Sequence, residues 1–444
     1  MADFLPPQAI EAEQAVLGAM LIDKESIIKC LDILKDNDFY SSAHQRVFQI
    51  ISYLYINNFP VELISVNNEM KNDKVLQDIG GAAFLINMTG KVSTVANVDH
   101  YARIVKEKSI LRQIAIIGME MSNAAQSECK ASDILNKAQS VIYQVSENSM
   151  TRGFSPMKSL IHPMIDRVEN LLKDKKDIPG LKTGFTNLDR MTAGLQPSDL
   201  ILIAGRPSMG KTAFALNIAA NVALNDNKPV AIFSLEMSKE SLALRLSCST
   251  AKVDAHKTRQ GFLESSQWAK FTTTASQLYD TPLYIDDSPT INVMEMRTRA
   301  RKLATELKVQ GKELSLIIID YIQLMQGIGR TENRQQEMAE ISRSLKGLAR
   351  DLNIPVIAIS QLSRKTEEHG RGHRPQLSDL RESGALEQDA DVVAFVYREG
   401  YYKRDDPDLK YKATLILSKQ RNGPTADIDL AFFPEYTRFE NASK

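Results

Sequence analysis

Leu200-Ile201-Leu202-Ile203-Ala204-Gly205-Arg206-Pro207-Ser208-Met209-Gly210-Lys211-Thr212 is the stretch of this 444-residue chain whose reading decides the fold. An apolar run ends in a glycine, a short loop follows, and Ala213 to Ala223 reads as a helix. The loop fits the phosphate-binding pattern G-x-x-x-x-G-K-[ST] at every constrained position. Glycines let backbone N–H groups close around phosphate oxygens where a side chain would block the approach. Lys211 offers a compact positive charge to β- and γ-phosphates. The Thr212 hydroxyl is a hard oxygen ligand suited to Mg²⁺, and the start of the following helix favours an anion. Gly205, Arg206, Pro207, Ser208, Met209, Gly210, Lys211, Thr212 and Ala213 are therefore the expected nucleoside triphosphate site.

Outward from this loop, short apolar runs alternate with helical patterns from Lys182 onward. The runs are Leu200–Ala204, Val230–Leu235, Leu316–Ile319, Val356–Ile359, Val392–Tyr397 and Thr414–Leu417. Near-continuous apolar strands between helices predict a parallel sheet covered on both faces. Ligands of such sheets bind at the carboxyl ends of the strands. Three of those ends carry polar residues suited to nucleotide hydrolysis. Asp320 follows Leu316–Ile319 and has the place of a carboxylate that holds Mg²⁺. Glu236 follows Val230–Leu235; it is either a base that polarises the attacking water or the acidic start of the next helix. Gln361 follows Val356–Ser360 and has the reach to sense a γ-phosphate.

Toward the N-terminus the pattern is helical. Ala9–Met20, Ala43–Ile56 and Ala82–Met88 carry apolar residues near helical spacing. From about His100 to Val145 two helical patterns, broken near Gln126–Lys130, predict a hairpin. They either close the N-terminal core or present a stripe to another copy. His44 and His100 stand alone and read as structural. Glu147–Ser155 is a polar linker. Leu160, Ile161, Met164, Ile165, Val168, Leu171 and Leu172 then form an amphipathic helix that needs a surface to cover it. The expected divisions are a helical domain at 1–105, a hairpin at 106–150, a linker with its helix at 151–181 and an α/β domain at 182–444.

Composition sets the class. Hydrophobic residues make up 43% and charged residues 25% of the chain, the balance of a soluble globular protein. No apolar run approaches the ~18 residues of a membrane span. The opening residues carry no signal-peptide pattern, and Cys30, Cys129 and Cys248 have neither metal-ligand nor disulfide spacing, so a cytoplasmic protein is expected. A formal net charge of +0 argues against coating nucleic acid by bulk charge, while leaving room for a local basic channel.

Five motifs occur in order: Gly205–Thr212, Ser234-Leu235-Glu236-Met237-Ser238, Asp320-Tyr321-Ile322-Gln323-Leu324, Ser378-Asp379-Leu380-Arg381-Glu382-Ser383-Gly384 and Lys419-Gln420-Arg421-Asn422-Gly423-Pro424. Together they resemble the bacterial replicative DNA helicases of the DnaB type over almost the whole chain. The resemblance implies an all-α N-terminal domain with helical hairpin and linker helix, then a RecA-like P-loop ATPase. It implies a homohexameric ring that uses ATP and Mg²⁺ to move on single-stranded DNA and unwind forked DNA, with primase and a helicase loader as partners and no membrane. It makes Glu236 the catalytic base. It places Arg381, Glu382 and Gly384 on the DNA backbone, and makes Arg421, with Lys419 beside it, an arginine finger reaching a neighbour's γ-phosphate. An open-filament strand-exchange ATPase and a nucleotide-gated scaffold are the alternatives, separated from the helicase by ring formation and by strand separation respectively.

Overall fold

The computed structural model describes residues 6–70, 81–92, 94–126, 138, 156–174, 178–327, 333–362, 374–403 and 405–442. The chain divides into two compact units, residues 1–164 and 165–444.

The first unit is helical: α1 (Ile10–Ile22), α2 (Lys24–Ile33), α3 (Ser42–Ile56), α4 (Leu63–Met70), α5 (Gly81–Gly90) and α6 (Val98–Ala125). Helix α1 is buried on nearly every side, with Val16, Leu17, Ala19 and Met20 in the core, so its apolar residues do not form one stripe. Gly18 is where α5 comes close: a Cβ there would lie 2.4 Å from the Met88 carbonyl oxygen. Helix α2 escapes the apolar pattern but has a cap signal, since the Asp23 carboxylate accepts from the Ser26 N–H at 2.9 Å. His44 is structural: it is buried, with its Nδ1 2.6 Å from Glu13 Oε2. One continuous helix, α6, runs through residue 105. Val98, Ala102, Val105 and Ser109 bury its first half, whereas Leu111, Ile114, Ile116 and Met119 are exposed. The expected second leg of the hairpin and the linker 147–155 lie outside the described residues, apart from Ala138.

Helix α7 (Met157–Asp174) spans the division between the units. Met157, Ile161, Met164, Ile165 and Val168 recur at the spacing an amphipathic helix requires, and they are exposed. The side chains of Leu160, Leu171 and Leu172 lie outside the described part. No helix among the described residues is long and apolar enough to cross a membrane.

The second unit is an α/β sheet domain. Its elements run α8 (Thr186–Thr192), β1 (Leu200–Gly205), α9 (Lys211–Asn225), β2 (Val230–Ser234), α10 (Lys239–Ala251), α11 (Ala255–Gln260), α12 (Ser265–Tyr279), β3 (Leu283–Asp286) and α13 (Val293–Val309). They continue as β4 (Leu316–Asp320), α14 (Arg334–Leu352), β5 (Val356–Gln361), α15 (Gly384–Asp389), β6 (Val392–Tyr397), β7 (Lys412–Gln420), β8 (Ala426–Phe433) and β9 (Arg438–Asn441). The sheet order is β3-β2-β4-β5-β1-β6-β7-β8-β9. From β3 to β6 the strands are parallel; β7, β8 and β9 add an antiparallel edge, so the sheet is mixed rather than parallel throughout.

Alternation along each strand feeds two cores. Ile201 and Ile203 of β1 face Phe214 and Ile218 of α9, while Leu200, Leu202 and Ala204 join Ile341 and Leu345 of α14 on the other face. Burial on both faces is why β1, β2 and β4 read as unbroken apolar runs. The antiparallel edge folds toward the first of these cores. Phe439 of β9 packs on Phe214 and Phe432, with ring centroids 5.5 and 4.6 Å away.

Candidate nucleotide site

Strand β1 delivers the phosphate loop to the carboxyl edge of the sheet. Ser208 and Gly210 have φ of +64° and +97°, the left-handed turns that bring the chain into α9. A Cβ on Gly210 would stand 2.9 Å from the Phe439 ring, so glycine is needed for space as well as conformation. Gly205 is equally confined, 2.9 Å from the Val396 carbonyl oxygen by the same measure.

Register places the strand-end residues around this loop. Gln361 pairs with Gly205 across β5 and β1, and Asp320 pairs with Ser234 across β4 and β2, two residues before Glu236. The Leu235 N–H donates to the Asp320 carbonyl at 2.7 Å, which holds the chain leading to Glu236 beside β4. Glu236 itself is exposed. Lys211, Thr212, Asp320, Glu236 and Gln361, drawn from four separate stretches, thus meet at one edge.

Their electrostatics suit an anion with a cation. Lys211 donates from Nζ to the Arg206 carbonyl at 3.0 Å, and burial pulls its pKa down to about 8 against the opposing pull of Asp320 and Glu236. Asp320 is buried, and desolvation pushes its pKa up to about 6 despite the Thr212 hydroxyl bonded to it; Glu236 adds to the rise. Its Oδ2 is buried without a hydrogen-bond partner. A buried carboxylate oxygen lacking a donor, next to a threonine hydroxyl, is a donor set that fits a hard cation bringing phosphate oxygens with it.

Two further residues belong here that the sequence reading did not single out. Gln323 donates from Nε2 to Ser360 Oγ at 2.8 Å and to the Gln361 carbonyl at 3.1 Å, and its Oε1 accepts from the Gln361 N–H at 3.2 Å. It fixes the backbone from which Gln361 projects. Arg398, just past β6, donates to the Ser208 carbonyl at 3.3 Å and stacks on Phe432, 4.0 Å from the ring centroid. Its readable signal was that it follows the apolar run Val392–Tyr397 directly.

The basic pair sits elsewhere. Arg421 donates from its backbone N–H to the Asp391 carbonyl, and Asp391 in turn to the Leu200 carbonyl, each at 2.9 Å. Arg421 is therefore level with the start of β1. From Leu200 to Gly205 the strand advances about 16 Å. Lys419 and Arg421 converge: both side chains reach the Gln388 carbonyl, at 3.2 and 3.0 Å. Within one chain they are at the opposite edge of the sheet from the phosphate loop. Gly384, at the start of α15, is exposed; the side chains of Arg381 and Glu382 lie outside the described part.

Known proteins agree with this architecture. Residues 180–441 match the model of the DnaB-like helicase C-terminal domain, and residues 5–107 match that of the DnaB-like helicase N-terminal domain. The replicative DNA helicase DnaC of Bacillus subtilis is 44% identical over 444 residues, covering 100% of this chain and 96% of its own. The replicative DNA helicase DnaB of Geobacillus stearothermophilus is 45% identical over 442 residues, covering 99% and 96% respectively. Among solved structures, a DnaB-like replicative helicase, described with its interactions with primase, superposes with a TM-score of 0.74 at 31% identity, covering 98% of this chain and 100% of that one. A second solved structure, of an ATPase domain, does so with a TM-score of 0.60 at 37% identity, covering 66% of this chain and 100% of its own. With both domain models and full-length relatives matched, the chain belongs to the family of DnaB-like replicative DNA helicases.

Proposed function

We propose that the chain is the subunit of a six-membered ring in which hydrolysis of Mg²⁺-bound ATP drives translocation on single-stranded DNA and unwinding of forked DNA in the cytoplasm. The observation that carries this reading is the separation, within one chain, of the phosphate loop from the Lys419–Arg421 pair. Placed at opposite edges of the sheet, the two halves complement each other between neighbouring copies.

In that ring Lys211 clamps the β- and γ-phosphates, Thr212 and Asp320 hold Mg²⁺, Glu236 takes the proton of the attacking water, and Gln361 senses the γ-phosphate. Mg²⁺ would supply charge neutralisation at the β- and γ-oxygens. Arg421 and Lys419 complete the neighbour's site. Arg381, Glu382 and Gly384 track the sugar-phosphate backbone, a contact that carries no base information and so suits a motor indifferent to sequence. We divide the chain into the helical domain 1–105, the hairpin 106–150, the linker region 151–181 and the motor 182–444. Primase and a helicase loader are the protein partners; the solved DnaB-like helicase described with its interactions with primase supports the first of these.

Forked-DNA unwinding tests the reading. Wild-type protein is expected to separate the strands only with ATP present. Glu236→Gln keeps size and hydrogen bonding but loses the base, so ATP binding persists while hydrolysis and unwinding fall by about 10²–10⁴-fold. ATP turnover without strand separation by the wild type would favour the scaffold alternative. Hydrolysis retained by Glu236→Gln would return that residue to a helix-start acid.

Asp320 adds a pH dependence. With its pKa raised to about 6, a proton competes with the cation for the same oxygens as pH falls through that value. Mg²⁺-dependent nucleotide affinity is expected to drop below about pH 6, by up to about tenfold per unit. Titrations of a fluorescent ATP analogue with and without Mg²⁺ measure this. Asp320→Asn should bind with little Mg²⁺ dependence at any pH; a Mg²⁺ effect of normal size in that variant would remove Asp320 from the cation site.

A further inference from the structure

The basic pair is tied to its own chain. Arg421 Nη1 lies 3.2 Å from Asp391 Oδ1, and Nη2 donates to the Gln388 carbonyl at 3.0 Å. Lys419 donates to the Glu387 carbonyl and, at 3.2 Å, to that of Gln388. These carbonyls belong to the last turn of α15. Carbonyls there lack intrahelical partners and carry the negative end of the helix dipole, so they attract cations. The first residue of α15 is Gly384, the last residue of the motif assigned above to DNA. Six residues of helix, about 9 Å, therefore join the proposed DNA contact to the groups that hold the basic pair.

Asp391 divides its hold. Its Oδ2 accepts from the Leu200 N–H at 2.8 Å and from Lys346, which also donates to the Ser198 carbonyl at 2.8 Å. The Asp391 side chain is 7% exposed and that of Arg421 46% exposed, so the buried acid is fixed and the arginine is the partner able to leave. Lys346 and Arg421 share the charge of one carboxylate, Lys346 on Oδ2 and Arg421 on Oδ1. Burial pushes the pKa of nearby Asp199 up to about 6; Asp391 adds to the rise, and Lys346 and Arg421 pull against it.

We propose that Asp391 is a positioning residue that holds Arg421 withdrawn when DNA is absent, and that DNA at the Gly384 end of α15 shifts the Gln388 carbonyl and releases Arg421 toward the neighbouring subunit's nucleotide. The inference rests on the reading of Arg421 as an arginine finger. An arginine tied at once to a carboxylate and a carbonyl must loosen that hold to swing toward a phosphate outside its own chain. The exchange sets the share of subunits ready to hydrolyse.

The test uses the full-length ring and compares ATP turnover with and without single-stranded oligothymidine. Asp391→Asn keeps an acceptor for the Leu200 N–H but loses the charge. DNA-free turnover should rise about two- to fivefold, the scale of a part-exposed ion pair, with the DNA-saturated rate nearly unchanged. Lys346→Gln leaves the carboxylate to Arg421 alone, so the DNA-free rate should fall and the stimulation ratio grow. A purely structural role lowers every rate in both variants. A DNA-free rate that is unchanged or lower in Asp391→Asn overturns the inference. Should that variant fail to fold, an unchanged or higher DNA-free rate in Lys346→Gln overturns it instead. Arg421→Ala separates the two layers. Turnover at the wild-type rate removes the finger reading and this inference with it, whereas loss of turnover beside an unmoved Asp391→Asn removes only the positioning.

Discussion

Lys211→Ala protein will fold, assemble and fail to turn over ATP, with a loss of at least about 10²–10³-fold, the cost of removing one preorganised charge at a reacting phosphate. In the free chain Lys211 is half-buried, its ammonium donates to one carbonyl, and desolvation draws its pKa down to about 8. Such a charge is held at a cost until phosphates arrive. Alanine removes that cost with the charge. Linkage gives the sign: a lysine whose folded pKa is lowered costs stability below its ordinary pKa, where the unfolded chain is fully protonated, and the cost is largest below about pH 8. The variant should therefore melt no lower than the wild type at neutral pH while its turnover collapses. Thermal denaturation and a phosphate-release assay check both halves. Near-normal turnover would remove the phosphate-loop assignment; a large fall in melting temperature would mean Lys211 serves the fold instead.

The residues legible from the sequence are those whose role is local. Gly205 to Thr212 are contiguous, and their pattern states its own geometry. Asp320 and Gln361 are legible because each closes an apolar run, and parallel strands put such ends on one edge. Glu236 needed the family resemblance, since a helix-start acid has the same local signature. Gln323 and Arg398 were missed for the complementary reason. Their partners, Gln361 and Ser208, come from neighbouring strands, and only register brings them together. The fold shows the same division. Strand β3 was not expected because Leu283-Tyr284-Ile285-Asp286 is an edge strand, half-buried throughout and four residues long. Strand β9 hides one buried phenylalanine among Arg438, Glu440 and Asn441. Alternation with helices marks the parallel strands, but the direction of the last runs is not legible in them, because apolar runs look alike in parallel and antiparallel edges. The hairpin at Asn422-Gly423-Pro424 was the one cue that β7 and β8 run oppositely.

Arg421→Ala rings will bind ATP and barely hydrolyse it, yet regain turnover when mixed with Lys211→Ala subunits that are equally inactive alone. In one chain Arg421 is level with Leu200 and the phosphate loop begins after Gly205, about 16 Å further along β1. An arginine side chain cannot span that gap through a packed sheet. If it reaches a γ-phosphate at all, the nucleotide belongs to another copy. A cation arriving from outside stabilises charge that develops in the transition state, worth about 10³–10⁵ in rate in related phosphoryl transfers. In a mixed ring some interfaces set an intact phosphate loop from an Arg421→Ala subunit against an intact Arg421 from a Lys211→Ala subunit. For random mixing at equal proportions that is about one interface in four, so recovered turnover is bounded near a quarter of wild type if interfaces fire independently, and lower if they must fire in sequence around the ring. Subunits must be exchanged before assay, with exchange proven by energy transfer between labels on the two variants. Activity that climbs with the mixing ratio to a maximum near equality is the expected result. Complete inactivity after proven exchange would show that Arg421 does not act across the boundary, and the opposed edges of the sheet would then need another purpose.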